Sequence, residues 1–300
     1  MSVLLIGVFL SVSSLPTVSV DGVDLYYEEK GTGEPILFSH GIPTDFRAWN
    51  SQVEAFSSGF RAISYSRRYA SPNARKGDLT DSTVENNAAD IRRLVDKLSL
   101  GRVRLVGHSY GGFASAFFAS EHPELVRSLV LVEPAISTLL IEDANSSAQM
   151  LSFFLRSPMS ATSARQFQTR SLRPSLKALD AGMDAKAVEL NVDGVQHHAG
   201  AFASMPQQVK AMMLENARTI AELRTPFPPF KSRAQGLMAK TLVVNGEKSA
   251  LWLRRIGELL LDSLPHGEGF TVPGARHFPH LENPSEFNDR VRLFFSKDDR

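Results

Sequence analysis

The sequence predicts an α/β protein: a doubly wound, largely parallel sheet with a helical insert in the middle of the chain. Three observations carry that prediction. Val103 to Val106 and Val126 to Val132 are largely apolar runs of strand length, which suit strands buried on both faces. Strand-like and helix-like segments alternate both before and after the middle of the chain. Between those flanks, roughly Ile136 to Arg233, few strand-like runs occur and Ala, Leu and Met are frequent.

Each element has its own local reason. Residues 1–16 include an apolar run, Val3 to Leu15, with no Lys or Arg before it. They read as a signal peptide, as an apolar extension packed on the body, or as the product of a start codon placed too early. Thr17 to Val20 and Val23 to Glu29 flank Asp21-Gly22, a two-residue hairpin signal. Pro35 to Ser39 and Phe60 to Tyr65 are apolar runs of strand length. Thr83 to Leu98 places Val84, Ala88, Ile91, Leu94, Val95 and Leu98 at helical spacing. After the insert, Lys240 to Gly246 predicts a strand, Leu251 to Leu264 a helix, Gly267 to Val272 a strand and Asn283 to Phe295 a helix. The division is therefore 17–135 with 234–300 as the core and 136–233 as an inserted cap. The cap's aromatic and Met side chains, Phe154 and Met159 among them, are expected to form its own small core, with a minority lining an apolar pocket.

Bulk composition narrows the partners. A hydrophobic fraction of 43% fills a sizeable core, and a net charge of +1 offers no field to recruit nucleic acid or acidic lipid. The N-terminal apolar run is too short and serine-rich to span a bilayer, so stable membrane insertion is not expected. With no cysteine, disulfides, thiolate nucleophiles and zinc–thiolate sites are excluded. The expected partner is a small-molecule substrate. The expected compartment is the cytoplasm, or the exterior or periplasm if residues 1–16 are a signal peptide.

The chemistry concentrates around Val103 to Gly112. An apolar run leads into Gly107-His108-Ser109-Tyr110-Gly111, and a helix-compatible segment follows. Glycines at both ends permit a sharp strand-to-helix turn that exposes the serine, with a helix N-terminus behind it to favour developing negative charge. A serine hydroxyl needs a neighbouring base. Of the eight histidines, His277 lies in a loop after the last predicted strand, on the sheet edge where the turn at Ser109 opens. His280 is the alternative base. The imidazole in turn needs a carboxylate to fix its tautomer. Glu133, ending the strand Val126 to Val132, is the first candidate, and Glu247, ending the next strand, competes with it. The backbone N–H groups of Tyr110 and Ile42 are candidate donors to an oxyanion; Pro43 has none to offer. His40 is expected to brace its loop and His108 to pack beside the turn.

With these residues in view, the chain resembles the α/β-hydrolase superfamily from about Val18 to Phe295. The resemblance rests on His40-Gly41-Ile42-Pro43, the Gly107–Gly111 turn, and Gly274 to Pro284 with His277. It implies an eight-stranded, mostly parallel sheet flanked by helices, with a helical cap between strands six and seven. The order Ser109, Glu133, His277 matches nucleophile, acid and base in that superfamily. Most members carry the acid after strand seven, where this chain has Ser249; haloalkane dehalogenases and zearalenone-type lactonases carry a glutamate after strand six, the place of Glu133. Dehalogenases and epoxide hydrolases of the superfamily use an aspartate nucleophile, and this chain has Ser109. The usual aspartate after strand four is replaced by Ser66.

The expected activity is hydrolysis of an ester or lactone of a small, largely apolar substrate through an acyl-enzyme, without metal or organic cofactor. Hydrolysis of a carbon–carbon bond or cofactor-free perhydrolysis would use the same three residues. A ligand receptor with slow turnover is the alternative from another class.

Overall fold

The computed structural model describes residues 16–73 and 79–297. The alternatives for residues 1–16 fall outside these, except for Pro16.

Eight strands form one sheet: β1 (Thr17–Val20), β2 (Val23–Lys30), β3 (Glu34–Ser39), β4 (Phe60–Tyr65), β5 (Val103–His108), β6 (Val126–Val132), β7 (Lys240–Gly246) and β8 (Gly267–Val272). Their order is β1-β2-β4-β3-β5-β6-β7-β8. β1 runs antiparallel to β2 and β2 to β4, and every other neighbouring pair is parallel. Asp21 and Gly22 both have positive φ, 46° and 76°, as the tightest hairpin turn requires. β5 is buried along its whole length, which explains why its sequence does not alternate.

The core helices are α1 (Asn50–Phe56), α2 (Val84–Lys97) and α3 (Ser109–Glu121), then, beyond the insert, α11 (Leu251–Ser263), α12 (Pro279–Glu282) and α13 (Pro284–Ser296). Thr83 caps α2 by accepting the Asn86 N–H on its side chain. α3 is buried from Ser109 to Ala119 and is apolar on every side. Apolar side chains cover both sheet faces: Leu105, Leu129 and Val243 pack with α2, α3 and α11, while Val106, Val130 and Val244 pack with α1 and α13.

Between β6 and β7 all regular structure is helical. The insert holds α4 (Ser147–Arg156), α5 (Pro158–Phe167), α6 (Arg173–Asp180), α7 (Asp184–Val195), α8 (Ala201–Ser204), α9 (Gln207–Glu215), a 3-10 segment Ala217–Arg224, and α10 (Lys231–Gln235). Met212, Met213 and Phe230 are buried, as expected of a local core. Phe154 and Met159 depart from that expectation. They are 51% and 72% exposed, because α4 rests chiefly on α5 and turns most of its apolar side chains outward.

The parallel register aligns the carboxyl ends of the strands. Ser39 lies opposite Gly107, His108 opposite Val132, Val132 opposite Val244, and Gly246 opposite Val272. The loops after β3, β5, β6, β7 and β8 therefore open on one edge, where α/β sheets place their sites.

Candidate active site

Ser109 sits where β5 meets α3, with φ of 51°. That left-handed conformation is costly for a residue with a Cβ, by about 1–2 kcal/mol, and the surroundings must enforce it. They do so by close packing. A Cβ on Gly107 would lie 2.5 Å from Ser115 Oγ, and one on Gly111 would lie 2.3 Å from the His40 carbonyl oxygen. Only glycine at both places lets the turn close against β3 and α3. Ser109 is 8% exposed, so its hydroxyl lies just beneath the surface.

His277 reaches the turn from the loop after β8. Its Nε2 is 3.1 Å from Ser109 Oγ, and its Nδ1 is 3.3 Å from Glu133 Oε2. Its backbone is clamped on both sides: its N–H donates to Gln196 Oε1 at 2.9 Å, and its carbonyl accepts from His108 Nε2 at 2.8 Å. His108 thus packs beside the turn and also anchors the loop that carries His277.

Glu133 follows β6 with φ of 47° and is fully buried. Its Oε1 accepts three hydrogen bonds, from Asn245 Nδ2 at 2.9 Å, Gly246 N at 2.8 Å and Ser249 Oγ at 2.7 Å. Its Oε2 is left to face the imidazole. Burying a carboxylate is expensive unless such partners are supplied. Glu247, by contrast, is exposed and accepts the Gly274 N–H at 2.8 Å. Its side chain braces the turn before His277 rather than meeting the ring. Ser249, after β7, donates its hydroxyl to the Glu133 carboxylate at the end of the neighbouring strand.

His280 is not the group that reaches Ser109. Its ring stacks on Trp49 with centroids 4.2 Å apart, and neither ring nitrogen has a hydrogen-bond partner among the described residues. Burial, reinforced by His277, lowers its pKa to about 3. Burial also holds His108 well below the ordinary imidazole range, with His280 and His277 adding to it. His40 is lowered by burial first and by the Arg67 charge second. Its Nε2 accepts the Arg67 N–H at 2.9 Å, which places its proton on Nδ1, 2.8 Å from the Gly41 carbonyl oxygen. His40 therefore braces its loop.

The loop after β3 crosses beside the serine: a Cβ on Gly41 would lie 2.9 Å from Ser109 Cβ. Ile42 follows at once, and Tyr110 is the second residue of α3, in the first turn, where backbone N–H groups have no acceptor within the helix. Beneath these segments lies a buried ion pair. Arg67 Nη1 is 2.6 Å from Glu222 Oε2, Arg67 Nε donates to the His40 carbonyl at 3.0 Å, and the guanidinium lies 4.7 Å from the Tyr110 ring centroid. Both side chains are fully buried. Ser66, in the usual place of an aspartate, ties its own loop by donating to the Ser71 carbonyl at 2.6 Å.

Sequence reasoning did not single out Gln196, Asn245 or Glu222, and the pair Arg67-Arg68, which reads as a solvated face or a local ion pair, has Arg67 fully buried against a residue 155 positions away. Their partners lie far along the chain, and nothing local marks a polar residue that serves a distant loop. The strand end Asn245-Gly246 carried the one available signal, since a buried carboxylate on the adjacent strand must find donors there. Among the described residues no group of His, Asp and Glu side chains could hold a metal ion, and no helix is long and apolar enough to cross a membrane.

Residues 34–284 match the family model described as the alpha/beta hydrolase fold. Epoxide hydrolase 3 of Xenopus tropicalis is 25% identical over 288 residues, spanning 92% of this chain and 76% of that one. The non-heme chloroperoxidase CPO-A1 of Kitasatospora aureofaciens is 33% identical over 127 residues, spanning 42% of this chain and only 46% of its own length. The solved structure of an esterase from Exiguobacterium antarcticum superposes with a TM-score of 0.66 at 17% identity, over 93% of this chain and 97% of that one.

Proposed function

The chain belongs to the α/β-hydrolase family, and on that premise we propose that it is a serine hydrolase cleaving an ester or lactone of a small, largely apolar substrate. One observation carries the reading: a single line of contacts runs from Ser109 Oγ through both nitrogens of His277 to the free oxygen of Glu133. Ser109 Oγ attacks the carbonyl carbon as its proton passes to His277 Nε2. Glu133 Oε2 accepts a hydrogen bond from the Nδ1–H and stays ionised, fixing the tautomer and stabilising the imidazolium. The carbonyl oxygen gains negative charge and takes hydrogen bonds from the N–H groups of Ile42 and Tyr110. The intermediate collapses, the C–O bond to the alcohol breaks, and His277 returns the proton to the leaving oxygen. Water then attacks the acyl-enzyme with the same base, releasing the acid and free Ser109. No step calls on a metal or an organic cofactor.

A second reading rests on the likeness to a protein named a non-heme chloroperoxidase. If hydrogen peroxide replaced water in the second half, the same acyl-enzyme would release a peracid. Ser109, rather than an aspartate, argues against the chemistry in the name of the epoxide hydrolase relative.

The direct test is a chain-length series of nitrophenyl esters with matched lactones, run on wild type and Ser109→Ala. Loss of nearly all hydrolysis, with a serine-directed phosphonate labelling Ser109 in wild type, is the expected result. Retained turnover in Ser109→Ala would overturn the assignment.

A further inference from the structure

We propose that the outer face of α4, continued by the start of α5, docks this hydrolase on an anionic lipid surface, where its ester substrates are presented. The substrate half of that statement rests on the function proposed above; the docking half stands on the surface itself. Met150, Leu151, Phe154 and Leu155 follow the spacing i, i+1, i+4, i+5, which puts them on one face of the helix. They are 43%, 59%, 51% and 71% exposed, and Met159 at the start of α5 is 72% exposed. The only residue of α4 that is buried is Phe153. An amphipathic helix normally turns its apolar stripe to the core; α4 turns it to the outside, and a contiguous exposed stripe of this kind marks an interaction surface.

Charge selects the occupant, and here its local distribution departs from what the net charge of +1 led the sequence to exclude. From residue 144 to residue 179 there is no Asp or Glu, while Arg156, Arg165, Arg170, Arg173 and Lys177 are present; the nearest carboxylates are Glu142 and Asp143 before α4, Asp180 at the end of α6, and Glu258, which lines a groove with Arg156, Arg255 and Met159. All five are exposed, and none forms an ion pair among the described residues. A layer of anionic headgroups over hydrocarbon answers both features at once, as it does for interfacial helices with basic flanks and Leu, Phe or Met faces. The surface also adjoins the site. A groove of about 330 Å³ is lined by Met159, His197 and Leu251. His197 follows Gln196, which holds the His277 N–H, and Leu251 lies two residues beyond Ser249, which holds Glu133.

The test uses the full chain and extruded phosphatidylcholine vesicles, with and without about 30 mol% phosphatidylglycerol. Wild type should co-sediment with the anionic vesicles and be released as salt is raised to about 0.5 M. Leu151→Glu/Leu155→Glu should bind about tenfold less or weaker still. The same variant should hydrolyse a vesicle-embedded nitrophenyl ester more slowly and nitrophenyl acetate in water at the wild-type rate. Absence of vesicle binding, or binding that the double variant retains, overturns the proposal. So does a wild-type dimer that the variant converts to monomer, which would assign the face to a second copy. Ser109→Ala keeps the two ideas apart. It should bind vesicles like wild type, so failure of hydrolysis chemistry and failure of docking give different results.

Discussion

One carboxylate oxygen of Glu133 is occupied by three donors, and the other faces His277 Nδ1. That division of labour makes a sharp prediction. A glutamine at 133 would have to offer its carbonyl oxygen to the three donors, leaving its NH₂ toward His277. An NH₂ there needs Nδ1 as an acceptor, which moves the ring proton to Nε2, the atom that must accept from Ser109. Glu133→Gln should therefore lower kcat by about 10³-fold or more with little change in KM. Glu247→Gln should leave kcat within about twofold, because that side chain is exposed and, among the described residues, bonded only to a backbone N–H. Ser249→Ala removes one of three donors and should cost about tenfold. Steady-state kinetics on the three variants check the order; a larger loss in Glu247→Gln would reverse the assignment of the acid. The choice between the two glutamates was open in the sequence because both end a strand. What separates them is the left-handed turn at Glu133 and the donors gathered around it, and neither is written locally.

The turn from β5 into α3 works only because other elements press on it. Ser39 at the end of β3 and His40 just after it supply the carbonyl oxygens that exclude a side chain at position 111, and the loops after β3 and β4 are locked to the insert through Arg67 and Glu222. The pair is fully buried but imperfectly satisfied: Arg67 Nη2 and Glu222 Oε1 have no hydrogen-bond partner among the described residues. Burial pushes the Glu222 carboxyl up, and Arg67 opposes that shift. Removing one partner leaves a buried charge alone, whereas removing both does not. Arg67→Met and Glu222→Leu should each lose about 3–5 kcal/mol of stability, and the double variant should recover most of it. Urea denaturation of the four proteins measures the cycle. Simple addition of the two losses would show that the side chains act independently. Because Arg67 also holds the His40 carbonyl beside the loop of Ile42, single variants should show a lower kcat as well. This linkage between a core loop and a 3-10 segment of the insert joins residues 155 positions apart. The sequence around Glu222 shows only an ordinary charged helix-like run.

At the level of the whole molecule, the sequence was most legible where environment is uniform. Val126–Val132 and Lys240–Gly246 have the bounds predicted for them, because a strand covered on both faces is marked by a largely apolar run. The meeting of Ser109 with His277 was legible because both lie in local motifs at one sheet edge. The insert was legible as helical but not in its packing: Phe154 and Met159 read as core, yet face outward, because periodicity tells which residues share a face and not which way that face points. The buried imidazoles behind the site were legible as residues but not as charges, and their burial sets how stability responds to pH. His280 has a folded pKa of about 3, against about 6.5 in an unfolded chain. Above pH 6.5 neither state binds the proton and the group is silent. As pH falls below 6.5 the unfolded chain is protonated and the folded protein is not. Stability is therefore lost at up to about 1.4 kcal/mol per pH unit until the folded pKa is reached. His40 and His108, also lowered by burial, act in the same direction. Asp90 and Glu222, whose pKa values burial raises, act against it. A difference measurement isolates one group. His280→Phe keeps a ring stacked on Trp49 and gives up no hydrogen bond, since neither nitrogen of His280 makes one among the described residues. Relative to wild type, the variant should gain about 2 kcal/mol in going from pH 7 to pH 5, read from urea midpoints at both values. Equal pH dependence in the two proteins would mean that His280 takes up its proton in the folded state, against its burial behind His277.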